Sequence, residues 1–167
     1  MVNYTNKDTP LDLTTGLYKP QELEERFLYE TQKIVRYGDE KGLEMSLLFI
    51  KLEGLGAINE SVGWIVGDRI LMETTKTLNT LLRSMDSASR VGRTSFAVLL
   101  PETKLANIPQ ILQKLEHSLN ALLPSQVPLA KWHFGWTLYE SGTALDSNAF
   151  WNSFLSKNGV MKGWSSA

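Results

Sequence analysis

Residues 45–68 read MSLLFIKLEGLGAINESVGWIVGD, and the fold prediction starts from this stretch. The run from Met45 to Leu52 is almost entirely apolar, which is typical of a strand buried on both faces of a sheet. Gly54 and Gly56 are expected to end that strand. Beyond them, apolar residues recur at helical spacing and predict a helix over Ile65–Leu82. The stretch therefore predicts a strand buried on both faces, followed by a helix.

Further helices and strands alternate on both sides of this stretch. Residues 38–42 begin and end with glycine and are expected to form a break before the first strand. The segment Gly92-Arg93-Thr94 is expected to be the tight turn of a hairpin. Because strands alternate with helices around one hairpin, the pattern indicates an α+β sheet covered by helices. The additional helices are predicted over Gln21–Tyr37, Ile108–Leu122 and Asn148–Leu155, and the additional strands over Ser87–Val91, Ser95–Leu100 and Lys131–Tyr139.

Composition predicts one soluble domain and excludes several classes of function. The chain has 167 residues, 43% of them hydrophobic, and its apolar runs are too short to span a bilayer. The polar start lacks the apolar core of a signal peptide, so a cytoplasmic location is expected. A net charge of −1 gives no sign of nucleic acid binding or membrane insertion. The absence of cysteine excludes disulfides and thiolate metal sites.

Four short motifs, spread over about residues 10–140, share their order and spacing with one known family. They read DLTTGLY from Asp12, FIKLEGLGAINESVGWIVGD from Phe49, RVGRTSF from Arg90 and HFGW from His133. In that order they resemble the motifs DxLTGLxNR, DxDxFKxINDxxGHxxGD, RxGGDEF and SIGV of the GGDEF (diguanylate cyclase) family. The four motifs in register, with agreeing helices and strands, identify the chain as similar to that family.

The resemblance implies a fold and a division of the chain. The expected fold is a central antiparallel sheet with a βααββαβ core flanked by helices, similar to the palm of nucleotidyl cyclases. We expect residues 1–10 to form a lead-in, residues 11–158 a degenerate GGDEF domain, and residues 159–167 a flexible tail. Family members usually carry a sensory domain before this part, and none is expected within the ten residues that precede it here.

The family's catalytic positions hold the wrong residue types in this chain. The family joins two GTP molecules into cyclic di-GMP, and such phosphoryl transfer needs a divalent metal. The resemblance places the metal-binding carboxylates at Lys51 and Thr94, and an ammonium group repels magnesium. The signature segment Gly92-Arg93-Thr94-Ser95-Phe96 keeps only its first and last residues, while Glu53 keeps one nearby carboxylate. We therefore expect no catalytic residues, no bound metal, no cofactor and no cyclase activity.

Two residues match family positions that recognise the guanine base. The resemblance assigns this vestigial role to Asn59 and Asp68, because an amide and a carboxylate can together contact the edge of guanine. A structural alternative is that Asn59 caps a turn and that Asp68 starts a helix, since both residue types favour such places.

The segment Arg83-Ser84-Met85-Asp86 has the spacing and position of the family's inhibitory Arg-x-x-Asp site, which binds cyclic di-GMP. The Arg83 guanidinium suits a phosphate or a guanine edge, and the Asp86 carboxylate can accept from guanine N–H groups. Lys114, on the next predicted helix, stands for a further basic residue that the family supplies. The alternative is an exposed ion pair at a helix end, which contributes little to stability.

These observations favour an inactive GGDEF domain that senses cyclic di-GMP and controls a protein partner. A second hypothesis is an interaction scaffold that binds no nucleotide and uses exposed aromatic side chains. A third is GTP binding without turnover through Asn59 and Asp68, and a fourth is an active cyclase, which Lys51 argues against. A homodimer is a further alternative. The late part of the chain contains four tryptophans, Trp132, Trp136, Trp151 and Trp164. Most of them are expected to lie in the core or on a sheet face, and an exposed pair among them is the candidate partner surface.

Overall fold

The computed structural model describes residues 9–13, 15–143 and 146–159. Most of the expected lead-in and tail, together with Trp164, lies outside these ranges. No described helix is both long and apolar enough to cross a bilayer. The described helices are α1 (Pro20–Lys41), α2 (Leu55–Val62), α3 (Trp64–Leu81), α4 (Ile108–Asn120) and α5 (Ser147–Lys157). The strands are β1 (Glu44–Glu53), β2 (Ser87–Gly92), β3 (Ser95–Leu100) and β4 (Lys131–Glu140).

The four strands form one antiparallel sheet in the order β2-β3-β1-β4. From β1 to β4 the elements follow the expected βααββαβ order, which confirms the predicted fold class. The apolar strand β1 has a neighbouring strand on each side, and Met45 to Ile50 are all buried, as the sequence predicts. Lys51 and Glu53, at the end of β1, are exposed. Charged side chains therefore begin where the covered part of the sheet ends.

Helices cover both faces of the sheet. Alternate residues of β1 face opposite sides, because successive side chains of a strand point in opposite directions. Leu48, Ile50 and Leu52 pack with α2, α3 and α4, whereas Met45, Leu47 and Phe49 pack with α1 and α5. On the α1 and α5 side the core contains Leu23, Phe27, Ile34, Leu47, Phe49, Trp151, Phe154 and Leu155.

Two details of the sequence prediction are wrong. The helix α1 continues through Gly38 to Lys41, so the predicted break over residues 38–42 is in fact mostly helix. The helix α2 begins directly after β1, and Gly56 lies inside it rather than in a loop. Gly54 makes the sharp turn between the two, with a φ of 90°, and a Cβ there would lie 2.9 Å from the Leu129 carbonyl oxygen. Only glycine fits such a position without strain.

Candidate functional site

The turn Arg83–Asp86, which connects α3 to β2, holds the Arg-x-x-Asp pair together. The Asp86 carboxylate accepts hydrogen bonds from the Arg83 backbone N–H at 2.8 Å, from Nε at 3.1 Å and from Nη2 at 2.8 Å. The Asp86 N–H donates back to the Arg83 carbonyl at 3.0 Å. Aspartate favours such turns because its short side chain reaches nearby backbone N–H groups. The turn and the ion pair therefore form one unit.

Two residues that follow β3 also hold this guanidinium, through the same Nη2 atom that bonds Asp86. Arg83 Nη2 also donates to the Pro101 carbonyl at 3.1 Å and to Thr103 Oγ1 at 2.7 Å. The buried Thr103 hydroxyl donates to the Pro101 carbonyl at 3.1 Å, and the Thr103 carbonyl accepts from Ser46 Oγ at 3.0 Å. Because Ser46 belongs to β1, the guanidinium is tied to the central strand of the sheet.

Arg83 remains accessible although it is paired. Its side chain is 51% exposed, whereas the Asp86 side chain is only 3% exposed. The hydrogen bond with Asp86, and then the charges of Asp86 and Glu102, raise the pKa of Arg83. Within the described residues, the bonds of the guanidinium use Nε and Nη2, and Nη1 has no partner. The two N–H groups of Nη1 are therefore available to an incoming acceptor.

A cleft of about 220 Å³ lies beside this guanidinium, between α3 and α4. Lys114 of α4 lines it together with Arg83 and Asp86, so the structure brings the three predicted residues to one place. The cleft thus combines two cationic side chains with a largely apolar lining. The other lining residues are Leu81, Leu82, Leu100, Thr103, Asn107, Ile111 and Leu115.

A second charged cluster lies at the end of β1 that carries Lys51. Lys51 is paired across the ladder with Ser95 of β3 and with His133 of β4. Glu53 forms ion pairs with Lys131, at 3.7 Å, and with His133. The hydrogen bond from His133, and then the charge of Lys131, lower the pKa of the Glu53 carboxyl. The one carboxylate of this cluster is therefore already engaged by two basic side chains.

These residues do not fit a divalent metal. Magnesium prefers carboxylate and other hard oxygen ligands, but the implied ligand positions hold the ammonium of Lys51 and the hydroxyl of Thr94. Glu53 is held by Lys131 and His133. Over residues 9–13, 15–143 and 146–159, no group of three or more His, Cys, Asp or Glu side chains is arranged to hold a metal.

The hairpin turn that stands in place of the family signature is basic. Arg90 donates to the Arg93 carbonyl from Nε at 3.2 Å and from Nη2 at 2.5 Å, which fixes the turn between β2 and β3. Arg93 is exposed, while Phe96 is completely buried in the core. Phe96 therefore has a packing role, and Arg93 adds a cation where the family has a glycine.

The two residues assigned to guanine recognition lie on neighbouring helices, and the side-chain oxygen of Asn59 is buried whereas Asp68 is exposed. Asn59 is inside α2, and its Oδ1 is buried against Gly67 of α3, with no hydrogen-bond partner in the described part of the chain. Asp68 is exposed, one turn into α3. Burial lowers the pKa of Arg90, and the charges of Asp12 and Asp68 oppose that shift. The suggested turn cap at Asn59 and helix start at Asp68 are wrong, because both residues lie within helices.

Of the three late tryptophans that the structure describes, two are buried in the core, as expected for most of this group. Trp132 and Trp151 are buried, with 8% and 1% of their surface exposed, whereas Trp136 is 52% exposed. The indole N–H of Trp132 donates to the Leu119 carbonyl at 3.0 Å. Trp136 alone among these three is available to a partner.

Comparison with known proteins identifies a family. The chain matches the family described as diguanylate cyclase, GGDEF domain, over residues 9–147. The diguanylate cyclase DgcP of Pseudomonas aeruginosa is 32% identical over 110 residues, which are 66% of this chain and 16% of that protein. The uncharacterized protein YhcK of Bacillus subtilis is 28% identical over 111 residues, which are 65% of this chain and 30% of that protein. The chain thus spans less than a third of the length of either relative.

Solved GGDEF structures share the fold. The GGDEF domain of DgcB from Caulobacter crescentus, in complex with c-di-GMP, aligns with a TM-score of 0.71 at 14% identity and covers 93% of this chain and 94% of that one. The diguanylate cyclase SiaD of Pseudomonas aeruginosa, in complex with its activator SiaC, aligns with a TM-score of 0.67 at 24% identity over 86% of this chain and 54% of that one. Because the family match covers most of the sequence, this chain belongs to the GGDEF domain family of cyclic di-GMP signalling proteins.

Proposed function

We propose that this domain is a catalytically inactive receptor for cyclic di-GMP, which binds in the cleft beside Arg83 and changes the domain's affinity for a protein partner. The arrangement of Arg83 carries the proposal. Its guanidinium is fixed by Asp86, Pro101 and Thr103, it is half exposed, and it keeps two free N–H groups. A fixed guanidinium loses little side-chain entropy when it binds a ligand.

The chemistry of the cleft suits the chemistry of the ligand. Cyclic di-GMP carries two phosphates and two guanines, and an arginine binds either a phosphate or the O6 and N7 atoms of guanine. Lys114 adds a second cation on the cleft wall, and the apolar side chains around it can pack against a base. The Asp86 side chain is almost completely buried, so in this conformation it positions Arg83 rather than contacting the ligand.

Catalytic inactivity rests on the charge at the implied metal positions. An ammonium at Lys51 and a hydroxyl at Thr94 leave the implied metal position without its carboxylates. Incubation of the purified protein with GTP and magnesium, followed by chromatography, should yield no cyclic di-GMP. An active diguanylate cyclase assayed in parallel serves as the positive control. Product formed above the no-enzyme background would refute this part of the proposal.

Calorimetric titration with cyclic di-GMP tests the receptor function. We expect binding with a Kd in the micromolar range or tighter, which corresponds to about −8 kcal/mol or better. Arg83→Ala should weaken binding at least about tenfold, because it removes the free N–H groups. Arg83→Lys keeps the charge without the planar fork and should give an intermediate loss.

Arg69→Ala provides the matched control, since Arg69 is an exposed arginine of α3 outside the cleft lining. It should leave the affinity unchanged. Circular dichroism of each variant separates a folding defect from a binding defect. No heat at high ligand concentration, or equal affinity of wild type and Arg83→Ala, would contradict the receptor proposal.

A protein-interaction scaffold is the second candidate function, and one surface feature favours it. Trp64 and Ile65 at the start of α3 are adjacent and are 66% and 61% exposed. Neighbouring exposed apolar side chains often mark a binding surface. The relative SiaD, solved with its activator SiaC, shows that a protein of this family can hold a partner. If cyclic di-GMP gives no heat while Trp64→Ala abolishes partner binding, the scaffold is the better account.

A further inference from the structure

We propose that the groove between α1 and the open end of the β2–β3 hairpin is a docking site for a basic peptide segment of a partner protein. This acidic groove has a volume of about 350 Å³. Met85 lines the groove, whereas its neighbours Arg83 and Asp86 line the cleft. The two sites are therefore distinct, and the proposal stands whether or not cyclic di-GMP binds in the cleft.

The helix side of the groove carries more negative than positive charge. Arg26 lies over the Tyr18 ring, 4.0 Å from its centroid, so its guanidinium is already engaged. Glu25 accepts only a long hydrogen bond from Gln21 Nε2, at 3.5 Å. Within the described residues, neither Glu22 nor Glu25 forms a salt bridge, which leaves both carboxylates available to a cation. The charged residues that line the groove are Glu22, Glu25, Arg26 and Glu30.

The surroundings of the groove add to this negative charge. Glu30 binds Lys33 Nζ at 2.8 Å, so this pair is close to neutral. The hydrogen bond with Glu30, and then the charges of Glu30 and Glu102, raise the pKa of Lys33. Glu102 is exposed and directly follows Pro101, which lines the groove. A carboxylate therefore lies near the hairpin side of the groove as well, and the electrostatic field there attracts cations.

A buried hydroxyl indicates a binding site rather than a merely acidic surface. Ser87 lines the groove although only 3% of its surface is exposed, and its Oγ forms no hydrogen bond with any described residue. In the same part of the chain, Asn59 Oδ1 is the one fully buried side-chain polar atom that lacks a partner, so the Ser87 hydroxyl must open into the groove. A hydroxyl can accept two hydrogen bonds and can therefore receive an N–H group from a guanidinium or an ammonium.

The uncharged part of the lining favours a peptide. Leu99 and Pro101 are buried, whereas Tyr29 and Met85 are 63% and 45% exposed. The aliphatic stem of an arginine or lysine packs on such apolar surface while its charged end reaches a carboxylate. A small polyamine would leave Tyr29 and Met85 in contact with water, but the backbone and neighbouring side chains of a peptide would cover them. The groove therefore fits a basic segment of a protein.

Fluorescence anisotropy with a fluorescein-labelled hexa-arginine peptide tests the proposal. In about 0.15 M salt, where charges are screened beyond about 8 Å, we expect saturable binding with a Kd of about 10 to 100 μM. The double variant Glu22→Gln/Glu25→Gln should bind about fivefold more weakly or worse, because it removes both available carboxylates. Ser87→Ala leaves the net charge unchanged and should weaken binding about threefold, since it removes one hydrogen-bond acceptor.

The matched control is the double variant Glu40→Gln/Glu116→Gln, which changes the net charge equally at exposed positions outside the groove. It should bind the peptide as the wild type does. Circular dichroism checks that each variant is folded, and Ser87→Ala decides the question if the groove double variant is not. Equal losses in the two double variants would show diffuse attraction only and overturn the proposal, as would wild-type affinity of Ser87→Ala or no saturable binding. Spermidine that displaces the peptide with an equal or lower Kd would assign the groove to a polyamine and overturn it too.

Discussion

Thr103 connects the candidate cleft to the sheet, since its hydroxyl accepts from Arg83 Nη2 and its carbonyl accepts from Ser46 Oγ of β1. Removal of the hydroxyl has calculable consequences. Thr103→Val keeps the side-chain shape but deletes the bond from Arg83 Nη2 at 2.7 Å and the bond to the Pro101 carbonyl at 3.1 Å. In the variant, Arg83 Nη2 still donates to the Pro101 carbonyl at 3.1 Å, so neither group is left without a hydrogen-bond partner. Since each of the two lost hydrogen bonds contributes about 0.5 to 1.5 kcal/mol net, the free energy of unfolding should fall by about 1 to 3 kcal/mol.

Two assays measure this change. Urea denaturation should show the loss of stability, and the melting temperature should fall by about 2 to 4 °C per kcal/mol for a chain of this size. Calorimetry should show that cyclic di-GMP binds about three- to tenfold more weakly, because the guanidinium becomes less fixed. The change in affinity is the more informative result, since a purely structural hydroxyl would alter stability alone.

Thr74→Val is the matched control. Thr74 is also a buried threonine, but its hydroxyl donates within α3, to the Ile70 carbonyl at 2.8 Å. It should leave the ligand affinity unchanged. If Thr103→Val and Thr74→Val have the same affinity as the wild type, Thr103 does not position Arg83 and the reasoning is refuted.

Two further predictions concern the sheet end and the interface of α2 with α3. Because the pKa of the Glu53 carboxyl is lowered in the folded state, its ion pairs stabilise the protein at pH values above its ordinary pKa of 4.5. This stabilisation is lost as the pH falls through the lowered pKa. The Glu53→Gln variant should therefore be less stable than the wild type near neutral pH and equally stable in acid, which urea denaturation at a series of pH values measures. A stability difference that stays constant with pH would contradict this. Gly67→Ala should destabilise the protein by about 1 to 3 kcal/mol, since the added Cβ overlaps Asn59 Oδ1. The double variant with Asn59→Ala should recover most of that loss, and additive effects would rule out the proposed clash.

The main elements of the fold follow from the sequence because their signals are local. The strand β1 is a continuous apolar run, and α4 carries a regular apolar stripe. The helix α2 gives no such signal, because it has only eight residues and begins between two glycines. Packing of Leu55 and Ile58 into the core stabilises it, and this interaction exists only in the folded chain. Tertiary packing therefore overrides the local glycine signal there.

The candidate site is predictable only in part for the same reason. The spacing of Arg83 and Asp86 is a sequence pattern, and the pair forms within one turn. Pro101 and Thr103 lie 18 and 20 residues away and reach Arg83 through the hairpin of β2 and β3. No local motif marks them. Similarly, the burial of Asn59 Oδ1 depends on Gly67 of the neighbouring helix.

An NMR titration of isotope-labelled protein with cyclic di-GMP tests the central claim most directly, because it detects binding and locates it at once. The account predicts saturable shifts of backbone amides around the cleft, over residues 81–86, 100–103 and 107–115, with residues 51–53 and 131–133 unaffected. Shifts concentrated at the Lys51 end of the sheet, or no shifts at saturating ligand, would contradict it.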